Sequence, residues 1–118
     1  MTPFFITVLI LHQTFPAHAT CQFSPFQGLN YALIPTNADW DSSEAACADC
    51  DAQMMGIPSG AVRAFVDQVL GANTVAWETA WVNLRQDDWC SFYTFKSNKQ
   101  FAGTNCQGVA NYVLCIKS

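Results

Sequence analysis

The sequence predicts an α+β fold, with two helices packed on a small, mostly antiparallel sheet and held together by disulfides. Three observations carry this expectation. A capped helix start precedes Cys47, an apolar four-residue period runs from 61 to 70, and several strand-like runs occupy the C-terminal half. Helices that come first and strands that follow place the helices beside an antiparallel sheet, whereas alternation would have suggested parallel βαβ units.

The elements follow in order. Tyr31-Ala32-Leu33-Ile34 reads as the first strand, ended by Pro35. A helix then starts at Asp41, which can cap it, with Glu44 three positions on to complete the reciprocal box and Trp40 placed to pack back on the first turns. It carries Cys47. Met54, Met55 and Ile57 read as a short buried segment before Pro58-Ser59-Gly60 turns the chain. In the second helix, Ala61/Val62, Phe65/Val66 and Val69/Leu70 recur every four residues, while Arg63, Asp67 and Gln68 take the other side. Gly71 stops it. Thr79-Ala80-Trp81-Val82-Asn83-Leu84, Cys90-Ser91-Phe92-Tyr93-Thr94-Phe95 and Tyr112-Val113-Leu114-Cys115-Ile116 read as strands.

The N-terminus is of a different kind. Phe4 to Leu11 is an apolar run too short to cross a bilayer as a helix, and Ala17-His18-Ala19 suits signal peptidase. Residues 1–19 are therefore expected to be a signal peptide, leaving 20–118 as a single secreted domain. The only histidines, His12 and His18, leave with the signal. Their loss excludes Ser-His-Asp and Cys-His nucleophile pairs and imidazole zinc sites. Five basic against nine acidic residues give a net charge of -4, which disfavours nucleic acid as a partner. All six cysteines, at 21, 47, 50, 90, 106 and 115, follow the signal. A small secreted domain uses disulfides to supplement a limited core, although composition does not select the pairing. No Asn-x-Ser/Thr sequon, linker, repeat or hydrophobic tail is present, so no membrane anchor is expected.

From Tyr31 onward the chain resembles the C-type lectin-like domain family. Trp40-Asp41-Ser42-Ser43-Glu44-Ala45-Ala46-Cys47 matches the family's tryptophan seven residues before a helical cysteine, and Met54 and Ile57 match its apolar positions after that cysteine. Trp81-Val82-Asn83-Leu84 is similar to the family's Trp-Ile-Gly-Leu strand, and Cys106 and Cys115 to its closing cysteines. The resemblance implies bonds Cys47–Cys115 and Cys90–Cys106, and it leaves Cys21–Cys50 as the third pair. That third pair departs from the family, whose extra bridge lies wholly before the first helix. It also implies a binding function.

Departures from the family shape that function. The Glu-Pro-Asn or Gln-Pro-Asp loop and the Trp-Asn-Asp triplet of its calcium-dependent sugar binders are absent: no proline follows Pro58, and Phe101-Ala102-Gly103-Thr104-Asn105 precedes Cys106. Calcium needs six to eight oxygen ligands, and the late chain has only Asp87 and Asp88 as acids. No cofactor or metal is expected. Asn83, where the family usually has glycine, and the modest length suggest a trimmed long-loop region.

Several pairs invite a catalytic interpretation and do not sustain it. Cys47-Ala48-Asp49-Cys50 has thioredoxin spacing, but it lies within or at the end of its helix, in a chain with an even cysteine count, which favours structural disulfides. Asp49/Asp51 and Asp87/Asp88 are more simply solvated surface than an acid and base facing each other across a cleft. No enzyme is expected. Trp40, Trp81, Phe65 and Phe92 are assigned to the core.

What remains is a binding surface between 85 and 105. Its candidates are Arg85, Asp87, Asp88, Trp89, Tyr93, Asn98, Lys99, Phe101 and Asn105, planar side chains ringed by amides and charges. The expected function is calcium-independent recognition of a glycan or an extracellular protein. A small secreted toxin-like or defence protein of another α+β family is the alternative. Apolar residues that the core does not need could form a homodimer face.

Overall fold

The computed structural model describes residues 21–97 and 101–118. Residues 1–20, which include the expected signal peptide, and the candidates Asn98 and Lys99 lie outside the described residues. Nine elements follow in order: β1 (Ser24–Phe26), β2 (Leu29–Ala38), α1 (Trp40–Asp49), β3 (Gln53–Met54), α2 (Gly60–Phe65, continued by a wider turn over Val66–Leu70), β4 (Thr79–Gln86), β5 (Trp89–Thr94), β6 (Phe101–Asn105) and β7 (Ala110–Lys117). Their sheet has the order β1-β2-β7-β4-β5-β6, with short β3 also on β7. Every pairing is antiparallel except β4 with β7, where Ala80 and Trp81 lie beside Tyr112 and Val113. The predicted α+β architecture is the one observed.

Alternation along β7 divides the core. Val113 and Cys115 face α1, in a cluster with Ile34, Trp40, Cys47, Trp81 and Cys90. Leu114 faces the other way, among Tyr31, Met55, Phe65, Val66, Val82, Tyr93 and Phe95. Period-two side chains allow one central strand to feed both layers. Three disulfides, all in the α1-side cluster, are Cys47–Cys115, Cys90–Cys106 and Cys21–Cys50. The first two are the pairs implied by the family resemblance, and the third is the pair that it left over.

Local expectations needed four corrections. First, β2 does not end at Pro35 but continues to Ala38, with Pro35 opposite Tyr112 and a bulge before Ala38. Its outer neighbour β1 covers only Leu29 to Tyr31, so β2 is an edge at Pro35, where a missing N–H is tolerated. Second, Asp39 caps α1, its carboxylate accepting from the Ser42 N–H at 2.9 Å. Trp40 is the first helical residue, buried with its indole N–H on the Val82 carbonyl, and Asp41 is left for an ion pair. Third, Met54 and Met55 are buried as expected but Ile57 is 42% exposed. Fourth, β6 had no strand signal in the sequence.

The second helix ends where Gly71 predicted, by a different route. Its last turn widens until the Gly71 N–H reaches the Val66 carbonyl five residues back, at 2.8 Å. Phe65 and Val66 keep their core positions, while Val69 turns to solvent.

Candidate functional site

The candidate site occupies the far end of the β4–β5 hairpin and the neighbouring β6. Asp87 and Asp88 form the turn between Gln86 and Trp89, Asp87 in the left-handed region at φ 53°. Aspartate is among the few residues that adopt this conformation readily. Two contacts fix the turn. The Asp88 carbonyl accepts from the Cys106 N–H at 3.0 Å, and the Asp87 carbonyl accepts from Arg85 Nε at 2.9 Å. Cys90–Cys106 staples the same end of β5 to the segment after β6.

Arg85 holds the site rather than facing a ligand. Its Nη1 reaches the Asp41 carboxylate at 3.0 Å and its guanidinium lies over the Trp40 ring, 5.2 Å from the centroid. The hairpin is thereby clamped to the start of α1. An ion pair this exposed contributes little alone, but the three contacts together give the guanidinium one orientation.

Trp89 is the centre of the surface. It is 59% exposed, and its indole covers Gly103 so closely that a Cβ there would lie 2.1 Å from Nε1. Only glycine leaves room for this. Asn105 sits opposite Trp89 on β6, and its Oδ1 accepts from the Gln107 N–H at 2.8 Å. Its amide nitrogen has no protein partner among the described residues; Gln86, opposite Trp89 on β4, and the turn residues Asp87 and Asp88 are exposed at the same end of the hairpin. An exposed indole at a hairpin end rich in amides and carboxylates results.

Two candidates are placed elsewhere. Tyr93 is fully buried, its hydroxyl donating to Asp67 Oδ1 at 2.8 Å, so it supports the sheet from within and does not face a ligand. The one-residue difference between the two faces of β5, visible in the sequence, did not reveal which face was covered by α2. Phe101 is half-buried, its ring edge-on to Tyr93 with centroids 5.3 Å apart. Thus Trp89, Asp87, Asp88 and Asn105 come together, Arg85 secures them, and Tyr93 and Phe101 lie beneath or beside. Gly103 and Gln86 were missed. A glycine among polar residues carries no periodic signal, and its role appears only once Trp89 lies on it.

Burial, and then the Asp67 carboxylate that accepts its proton, raise the Tyr93 pKa above the ordinary phenol value. The fold therefore favours the neutral phenol. This contribution is intact below about pH 10, where the unfolded phenol titrates, and is lost as pH rises through the higher folded value. Tyr112, hydrogen-bonded to Glu78, is raised in the same direction by the same two causes. Denaturant midpoints measured against pH should fall above about pH 10, and less steeply in Tyr93→Phe, which retains only the Tyr112 contribution. An unchanged slope in the variant would remove Tyr93 as the cause.

Outside this region, a cleft of about 300 Å³ runs along α1, lined by Asp41, Glu44, Gln53, Met54 and Asn83 among others. None of its lining except Asp41 contacts the hairpin clamp. A second exposed aromatic, Trp77, stands on the loop before β4 at φ 75°, 68% exposed, with its N–H on the Phe95 carbonyl. Val75 beside it is exposed as well. The sequence reading passed over both because the loop has no periodicity.

The topology and disulfide frame define a C-type lectin-like fold. Solved structures bear this out: the chain is similar to rhodocetin (TM-score 0.68, 19% identity, 82% of this chain and 96% of that one). It is also similar to EMS16, an antagonist of the collagen receptor integrin α2β1 (TM-score 0.66, 16% identity, 81% and 98%). A third similar structure is SPL-1 in complex with GlcNAc (TM-score 0.62, 16% identity, 85% and 96%). No family model and no curated protein matches the chain. At these identities the likeness carries the fold.

Proposed function

We propose that this chain is a secreted, non-catalytic binding domain that holds a glycan, without calcium, on the Trp89 surface. The observation that carries this reading is the indole lying on Gly103 with its surroundings of Asn105, Gln86 and the Asp87-Asp88 turn. A sugar ring has an apolar C–H face and a rim of hydroxyls. The indole matches the face, and the bordering amides and carboxylates match the rim. Calcium takes six to eight oxygen ligands, whereas among the described residues no three acidic, cysteine or histidine side chains gather where an ion could be held. Three disulfides favour an oxidising compartment, consistent with the signal expected at the N-terminus. Among the described residues no helix is long and apolar enough to cross a membrane.

Calorimetric or NMR titration against a panel of mono- and oligosaccharides tests the reading. Binding to such an open surface should be weak, with Kd on the order of 1 mM. Chelator should not change it, and Trp89→Ala should weaken it about tenfold or more. Gly103→Ala should also weaken it, because the new Cβ displaces the indole. A panel in which no sugar binds, or in which Trp89→Ala binds like the parent, would refute it. A protein ligand is the second reading, favoured by Trp77 and Val75 on a loop held at both ends by hydrogen bonds.

A further inference from the structure

We propose that β6 pairs with β6 of a second copy of this chain, extending the sheet across a two-fold axis at Ala102. The two edges of the sheet are β1 and β6, and they differ. β1 is three residues long and contains Pro25, both common ways to blunt an edge. β6 is five residues long and carries no charge and no proline. Its register with β5 runs unbroken from Asn105 opposite Trp89 to Phe101 opposite Tyr93, so no bulge twists it away.

The ladder shows which backbone groups face outward. The Cys106 N–H bonds the Asp88 carbonyl, so positions 104 and 102 turn their backbone toward β5, and positions 105, 103 and 101 turn theirs away. The Asn105 carbonyl is already taken by the Gly108 N–H. Phe101 and Gly103 are left with outward N–H and C=O groups that have no partner among the described residues. An extended backbone is the chemistry that complements such a row.

A second copy fits this row better than an arbitrary peptide because the row complements itself. When two β6 strands run antiparallel, Phe101 of each lies opposite Gly103 of the other, closing four N–H···O=C bonds. Ala102, small and exposed, then meets its own counterpart at the axis. Side chains agree with the same register. Phe101 and the indole that covers Gly103 lie on one face of the sheet, so the pairing sets each Phe101 beside the partner's Trp89, an aromatic cross-strand contact. Each copy carries a net charge of -4, and the uncharged β6 is where two such copies meet without opposing carboxylates. The arrangement is isologous, and it covers the open edge in both copies.

Sedimentation over a concentration series tests the pairing, and it needs no ligand. The wild-type chain should pass from monomer to twice the monomer mass at sub-millimolar concentration. Ala102→Glu sets two carboxylates against each other at the axis and should weaken the dimer at least tenfold, with the circular dichroism of the monomer unchanged. Ala102→Arg alone should do the same, and an equimolar mixture of the two variants should recover the dimer. A wild-type chain that stays monomeric would overturn the proposal, leaving the edge to an extended segment of another protein. A dimer untouched by Ala102→Glu, or a mixture that stays monomeric, would overturn it equally. Sugar titration of Ala102→Glu, which keeps Trp89 and changes only the opposite face of β6, reports on the glycan surface separately, so the two ideas can fail independently.

Discussion

Replacing Cys47 and Cys115 together by alanine should lower the unfolding free energy by about 4 kcal/mol. The bond joins α1 to β7 across 68 residues of sequence, the longest of the three closures, so its loss releases the most chain entropy in the unfolded state. Both sulfurs are fully buried among Ile34, Trp40 and Val113, so the paired alanines also leave a void. Cys90–Cys106 closes only 16 residues, and the same formula gives about 3 kcal/mol for its removal. Guanidinium unfolding of the two double variants checks the order. A larger loss from the short closure would show that the packing lost around the buried Cys90 and Cys106, and not loop length, governs the difference.

Trp81→Ala should cost about 3–5 kcal/mol, the range for large aromatic truncations in a core. Its indole is fully buried in the layer beneath α1, edge-on to Phe92, and its N–H donates to the Ala38 carbonyl at 2.9 Å. The truncation therefore opens a cavity and also strands a carbonyl at the bulge that ends β2. Trp81→Phe separates the two effects, since it keeps most of the packing and loses the hydrogen bond. Midpoints near wild type for Trp81→Phe would assign the cost to the cavity; midpoints near Trp81→Ala would assign it to the bond. By contrast, Trp89→Ala should leave stability almost unchanged, because most of that side chain is in water.

The legible parts of the fold were those whose signal is local. Asp-Ser-Ser-Glu ahead of Cys47 announced a helix start, and the four-residue period from 61 to 70 announced the second helix. Even there, the cap moved from Asp41 to Asp39 because Trp40 is drawn into the core by the Val82 carbonyl, a partner 42 residues away. β6 was not legible, because Ala102, Gly103 and Thr104 have neither alternation nor bulk, and β5 makes them a strand by hydrogen bonding. Of the candidate surface, Asp87, Asp88, Trp89 and Asn105 lie at one end of the β4–β5 hairpin and β6. Tyr93 was not distinguishable from them, since only α2 packing on one face of β5 makes it core.

By itself the sequence determined the class of fold, the order of its main elements, and a histidine-free inventory after residue 19. These depend on periodicity, capping and composition, which a chain carries before it folds. The tertiary structure decided the rest: which strands form the edges of the sheet among the described residues, that Arg85 is a clamp, and that Gly103 is the seat of an exposed indole. Each of those facts depends on groups far apart in sequence, and long-range contacts are made only when the chain closes on itself.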